Sequence, residues 1–589
     1  MRSALALILG LAVWACPTFA DVPGHTYPDP LDYEPFGVVG TVGTEETYES
    51  IKNLTHFQAV PNDMETYYVS DDPGGDLPQG DDTWPGTREM PLRTIYAANL
   101  LMDGRNRVRI VLDAQDTWND PGRCVGATDP ISVCDAGTGI CPNCYFRGLD
   151  GAGLNTSNCT AGELCMLVTT TDPTGTHKPV LQGNGAVATG QQGTMFGNGP
   201  SVTAGAIIAM ENVVFEDAKG WDGHGGSDGV IAVLLGVDFT TSLSSAGSFG
   251  HGGGLKEGGA LISINSNYRI EDDGTAANGV AGIFYGTSNA TAVDNRISSI
   301  HDQFVYNDDD LGDGTSIFRF NSVTASVIGA HAVVQSVDTG PSYSQNSPTM
   351  IAMAPAGGDT QGTTVTVARS YFGKTPVTAA SYSVFLRPQP GAAMDSSVTI
   401  YESTVHRIPI FWWGDAINDT GTASVTARGL LWDDCAAAGG ATCSALYSTT
   451  DAKQEGTTID IALSAFDDAE GSSNWGRYYN GSGIANVTSC AALLTRVTDS
   501  AQATVTNFWS ELSSGGTNCS SDMDTNGNPF TDGTTDLIAQ AACQNGGSSG
   551  CRGGYTDTYT VTLAEPIPAF VLGTKVTKFT LTGKNIGAR

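Results

Sequence analysis

Short apolar runs bounded by Gly, Asn, Asp and Ser fill the chain, and long helical periodicity is nearly absent. From about residue 205 a unit recurs in which a short residue leads a strand-like apolar pattern. It reads Asn212-Val213-Val214-Phe215, Gly236-Val237-Asp238-Phe239, Asn267-Tyr268-Arg269-Ile270, Asn295-Arg296-Ile297 and Asn321-Ser322-Val323. It continues as Ser370-Tyr371-Phe372, Ser403-Thr404-Val405, Gly429-Leu430-Leu431-Trp432 and Ser464-Ala465-Phe466. Counted from Phe215 between the last residues of each unit, the intervals are 24, 31, 27, 26, 49, 33, 27 and 34. The interval of 49 spans about two units, with Ser347 to Met353 as the intervening coil.

Such intervals are those of a solenoid. One strand cannot bury its apolar edge alone, whereas stacked coils bury a continuous cylinder and pair each strand with the coils above and below. Alternation puts Val213 and Phe215 on one face and Val214 on the other. A β-sandwich is the competing architecture, but its strands come every ~8–12 residues with hairpin turns. The reading is an all-β chain in which loops of variable length leave a stacked cylinder.

A solenoid needs covered ends. Pro91-Leu92-Arg93-Thr94-Ile95-Tyr96-Ala97-Ala98-Asn99-Leu100-Leu101 predicts a helix near the start, with Pro91 in the first turn and Leu92, Ile95 and Leu100 on an apolar side. Ahead of it, Arg2, the apolar stretch Ala4 to Val13 and Thr18-Phe19-Ala20 read as an export signal cleaved before Asp21. Alternatives are a buried N-terminal strand and a lipoprotein signal around Val13-Trp14-Ala15-Cys16, for which Trp14 is bulky. No later run is long enough to span a bilayer, which takes about 20 residues; the longest, Val230 to Val237, suits a buried strand.

At both ends the residues resemble those of pectate-lyase-like right-handed parallel β-helix proteins. Tyr67-Tyr68-Val69-Ser70, an acidic Gly-rich loop through Gly86, and Pro91-Leu92-Arg93-Thr94-Ile95 look like that superfamily's opening strand, loop and capping helix. Asn528-Pro529-Phe530-Thr531-Asp532 with Asp536-Leu537, and Asn585-Ile586-Gly587-Ala588, resemble its closing segments, with Asn standing for Asp twice. The resemblance implies a right-handed parallel β-helix with an N-terminal capping helix. The division is a signal at 1–20, an extension at 21–66, the cap with its helix at 67–105, the β-helix at 106–480 and C-terminal disulfide-bearing coils and cap at 481–589. Lyases, hydrolases, tail-spike-like proteins and adhesins share this fold, so it does not choose the function.

Charge and cysteines narrow the setting. A net charge of −34 with 28 basic residues argues against nucleic acid, which binds by phosphate neutralisation. Export implies an extracellular, cell-surface or periplasmic protein, an oxidising setting in which the 12 cysteines left after Cys16 form disulfides. The close pairs are Cys159 with Cys165, Cys435 with Cys443, and Cys543 with Cys551. Cys124, Cys134, Cys141 and Cys144 form a denser group of open pairing, in which Cys141-Pro142-Asn143-Cys144 also reads as a metal or redox motif.

A polysaccharide or other glycan is the expected partner, and a polysaccharide lyase the expected enzyme. The resemblance implies a Lys or Arg base with calcium held by Asp. Lys256, Arg296 and His301 are the catalytic candidates, since coils stack and residues one period apart can share a groove; His251 and Arg269 would bind substrate. The alternative is that these are solvated loop residues on a non-catalytic adhesin or structural surface protein. Calcium, a cation of oxygen ligands, has two candidate loops: Asp308, Asp310 and Asp313, and Asp522, Asp524 and Asn526. Each also reads as a plain turn. No organic cofactor is expected. Trp412 and Trp413 would stack on sugar rings if exposed, or pack in the core. A hydrolase constellation is not carried over: Gly223-His224-Gly225 and Gly250-His251-Gly252 both precede Asp272-Asp273, in the wrong order.

Overall fold

The computed structural model describes residues 50–102, 105, 107–118, 144–149, 160–182, 194–198, 205–216, 229–241, 258–271, 284–286, 294–308, 316–320, 322–336, 349–353, 362–374, 383–388, 395–414, 422–433, 444–448, 457–462, 465–466, 476–479, 484–487, 503–510 and 557–583. The signal segment lies outside them. Three long sheets run side by side along one axis. Sheet I has 13 strands, from Glu65–Val69 to Ala503–Ser510; sheet II has 11, from Thr117–Trp118 to Ala465–Phe466; sheet III has eight, from Phe284–Gly286 to Ile484–Val487. Each strand pairs in parallel with its counterpart one coil on, for example Arg296 with Thr324 and Ile300 with Ile328. The last pair of sheet III, Gly476–Tyr479 with Ile484–Val487, is antiparallel. The chain is the expected all-β parallel β-helix.

The period read from sequence holds, but its phase slips in mid-chain. Phe215, Phe239 and Tyr268 do stack in sheet II, followed by Phe304, Ala332, Phe372, Val405, Trp432 and Phe466. Ile297 and Val323 belong to the sheet I side of their coils. The segment Thr349–Met353, expected to bridge the long interval, is a strand of sheet III. Apolar alternation marks a strand without saying which of three sheets it joins.

The corner between sheets I and II repeats one backbone device. Asn212, Gly236, Asn265, His301, Gly329, Arg369, Glu402 and Gly429 all have positive φ, between 44° and 68°. One left-handed residue turns the chain from sheet I into sheet II within two residues. Glycine does this without strain, whereas a side chain costs about 1–2 kcal/mol. The corners are tied together by their own amides. Asn265 N–H donates to the Ile300 carbonyl (3.0 Å), His301 to Ile328 (2.7 Å) and Arg369 to Tyr401 (3.0 Å). One residue further on, side chains of the next coil satisfy the backbone. Val237 N–H donates to Ser266 Oγ, Ser266 to Asp302 Oδ1 (2.8 Å), Ala330 to Ser370 and Ser370 to Ser403.

Inside the cylinder runs an aromatic column. Tyr268 stacks on Phe304 at 5.1 Å, and Phe304, Phe318, Phe372, Phe385, Phe411 and Trp432 follow with centroids 4.7 to 6.3 Å apart. The buried Trp432 indole donates to the Ile408 carbonyl at 2.8 Å, so its one polar atom is satisfied. At the near end helix α1, Ile95–Leu101, buries Ile95 and Ala98 against the first coil. It starts four residues later than Pro91. Thr94 caps it by accepting from Ala97 N–H, and Asp82 fixes Thr94, while Leu92 still forms a bridge with Val69.

The C-terminal segment, expected to close the far end, lies along the middle of the cylinder. An antiparallel hairpin, Asp557–Ile567 with Val576–Gly583, crosses the outer face of sheet I. Its Val561, Leu563 and Ile567 join Ile264, Ile300 and Ile328 of three successive coils in an outer apolar cluster. The N-terminal stretch from Ile51 enters the same cluster through Leu54 and Phe57, whose ring meets Phe570 at 5.0 Å. Thr55 and Leu54 carbonyls accept from the corner amides of Asn212 and Asn265. Sheet I is therefore buried on both faces in its central coils, at Ile207–Glu211, Ala260–Ile264 and most of Arg296–Ile300.

Candidate functional site

Arg296 opens its sheet I strand and His301 follows its last residue. Five residues of extended chain span about 16 Å, so the two do not share a groove as expected. Arg296 points outward under the hairpin. Its Nε lies 3.0 Å from Glu565 Oε2, in ion contact rather than an aligned hydrogen bond, and its Nη2 donates to the Gly258 carbonyl at 3.2 Å. Burial pushes the Glu565 carboxyl up, and the Arg296 charge pulls against that shift. The same hairpin residue is pinned twice more: Glu565 N–H donates to Ser298 Oγ, and that hydroxyl donates to the Glu565 carbonyl. The side chain expected to take a proton from substrate is held under the protein's own strap.

His301 occupies a left-handed corner, with φ 58°, and its Nδ1 is 3.0 Å from Asn265 Oδ1 of the preceding coil. It belongs to the corner stack. Arg269 is exposed on the outer side of sheet II, a different face from Arg296. Trp412 is 2 % exposed and packs inside, in register with Leu386 and Leu446. It cannot stack on a sugar, which corrects the substrate-binding expectation. Its neighbour Phe411 is buried in the same core, so simple alternation does not sort this strand of sheet III into an inner and an outer row. Trp413 and Asp308 have their backbone in strands, and their side chains lie outside the described residues. Lys256, His251, Asp310, Asp313, Asp522, Asp524 and Asn526 also lie outside them, as do Cys159, Cys435, Cys443, Cys543 and Cys551. Cys165 is buried and disulfide-bonded; its partner is not among the described residues.

Other polar groups have structural work. Asp113 accepts from Asp76 and Leu77 N–H, and Asp116 from Asp71 and Asp72 N–H, so two buried carboxylates hold the acidic Gly-rich loop closed. Burial pushes Asp116 up to about 6. Asp302 is fully buried at a corner, accepts from Ser266 N–H and Ser299 Oγ, and is pushed up to about 7 by loss of solvent. On sheet II the His331 ring stacks on Tyr371 at 4.9 Å and 12°. Tyr371 lies over Gly373, where an added Cβ would come 2.6 Å from the ring. Burial holds His331 neutral, down to about 4. Among the described residues, no three His, Cys, Asp or Glu side chains are grouped to hold a metal.

In the coils after Ile328 the hairpin reaches, among the described residues, only Ala368 and Tyr401 on the edge of sheet I, and the other outward side chains keep solvent contact. The outward residues of sheet I in these coils are Thr364 and Thr366, then Ser397, Thr399 and Tyr401, then Ser424, Thr426 and Arg428, then Thr458 and Asp460. They are in register, Thr364 with Ser397, Ser424 and Thr458, and Thr366 with Thr399, Thr426 and Asp460. Sequence reading passed over these residues, although the signal was present in Thr-Val-Thr, Ser-Val-Thr and Ser-Val-Thr. Each triplet reads alone as ordinary strand alternation.

The class that fold and surface define is a parallel β-helix protein with a strapped flank. Compared with protein-family models, with curated proteins and with solved structures, the chain matches none.

Proposed function

We propose that this is a non-catalytic extracellular protein that presents a rigid β-helical flank to an extended partner. The Arg296–Glu565 contact carries the reading, because residues 557–583 lie over the central part of sheet I, where Arg296, one of the three expected catalytic residues, stands. Arg296 keeps about a third of its side chain in solvent (35 %), but with Glu565 set against it under the hairpin it is not presented as a base to a polymer. The extracellular setting rests on the leader-like residues 1–20. The test is turnover: purified full chain with calcium, on alginate, pectate and glycosaminoglycans, followed by absorbance of unsaturated products. None is expected; sustained product formation on any of them overturns the reading.

A further inference from the structure

We propose that the solvent-contacting part of sheet I after Ile328 is an ice-binding face. Its two ranks, Thr364-Ser397-Ser424-Thr458 and Thr366-Thr399-Thr426, form a two-dimensional grid. Neighbouring coils set one repeat near 4.8 Å, and alternate residues of a strand set the other near 6.7 Å. No register shift interrupts the pairing from Thr364 to Thr458, so the grid keeps its order over four coils. Such a repeat is close to that of the oxygen atoms on a face of hexagonal ice.

The chemistry of the grid selects the partner. A hydroxyl both donates and accepts, as a water molecule does. Threonine adds a methyl group and a stiff χ1, which fixes the spacing of the hydroxyls. Ser397 already bonds Thr364 across the coils at 3.2 Å; Thr364 is exposed, and Thr366, Ser397, Thr399, Ser424 and Thr426 are half-buried. In a chain of net charge −34, neither rank carries a charge before Asp460, which Arg428 pairs at 2.6 Å. Asp395 lies at one border, bonded to Thr422. The charges beside the ranks, Arg428 and Asp460, are paired with each other, which leaves little for a charged polymer to hold. A crystalline neutral polysaccharide is the other flat, periodic partner, but its sugar rings are held by aromatic faces and planar polar groups; both ranks lack them, and Tyr401 beside them packs against Tyr559 of the hairpin at 4.5 Å. A lattice of water needs only hydroxyls in register.

The proposal goes beyond the non-catalytic reading by naming the partner, and the two fail in different measurements. The full chain is slowly frozen beside an inert reference protein, and enrichment in the ice fraction is read. The wild type should be enriched; Thr399→Tyr with Thr426→Tyr should fall to the level of the reference. Thr240→Ala, on the outer side of sheet II, should keep wild-type enrichment. Far-UV circular dichroism and melting confirm that all three fold alike. Should the paired Tyr variant prove misfolded, Thr399→Val with Thr426→Val, which keeps shape and removes the hydroxyls, should show the same loss. No enrichment of the wild type, or equal enrichment of a folded double variant, overturns the proposal. Retention on insoluble cellulose or chitin without uptake into ice overturns it too, and leaves the non-catalytic reading standing.

Discussion

Glu565, on the C-terminal hairpin, sits against Arg296, on a central coil of the β-helix, at 3.0 Å. The contact joins segments far apart in the chain and braces the hairpin against sheet I. Glu565→Ala should therefore loosen the hairpin rather than release an activity. Arg296 keeps partial solvent contact and its bond to Gly258, so the expected loss is about 1–2 kcal/mol in denaturant unfolding. Limited proteolysis should cut within 557–583 sooner than in the wild type. An unchanged digestion pattern would refute the clamp.

Arg369 and Glu402 fill adjacent left-handed corners, both nearly fully buried, 3.1 Å apart. Glu402→Ala leaves a buried guanidinium without its counter-charge and should cost about 3–5 kcal/mol. Arg369→Gly with Glu402→Gly removes both charges and both strained backbones. The double variant should recover much of the loss, since Gly236, Gly329 and Gly429 already serve at equivalent corners. A double variant less stable than Glu402→Ala would contradict this.

Asp302 makes stability depend on pH. Its folded pKa is raised from 3.8 to about 7 by burial. The folded state thus holds a proton that the unfolded chain has released, so this stabilisation is complete below about pH 4 and is lost as pH rises through 7. Asp302→Asn, which does not titrate, should flatten that part of the stability profile between those values. Urea midpoints measured across the range provide the check, and identical slopes for variant and wild type would count against it.

His301→Asn tests whether the imidazole has any role beyond the corner. Asn fills the same corner at 212 and 265 and tolerates the left-handed region. Stability should stay within about 0.5 kcal/mol of wild type by denaturant titration. A much larger loss would mean that the ring does more than turn the chain.

Sequence alone determined the solenoid. Val213, Phe215, Phe239 and Phe372 mark inward positions because pleated strands alternate, a rule that acts between neighbouring residues. It also located the opening strand at Tyr67 and the capping helix, though it began that helix at Pro91 and not at Ile95. It gave the coil interval but not the phase, since Ile297 and Phe304 look alike as strand residues and belong to different sheets. The tertiary structure decided that Trp412 packs inside, that Arg369 meets Glu402, and that residues 557–583 return over Ile300 and Ile328. These outcomes rest on which coil stacks on which, and on which apolar face is left for a distant segment to cover. Such contacts join residues whose separation in the chain carries no periodic signal, so only the assembled cylinder could place them.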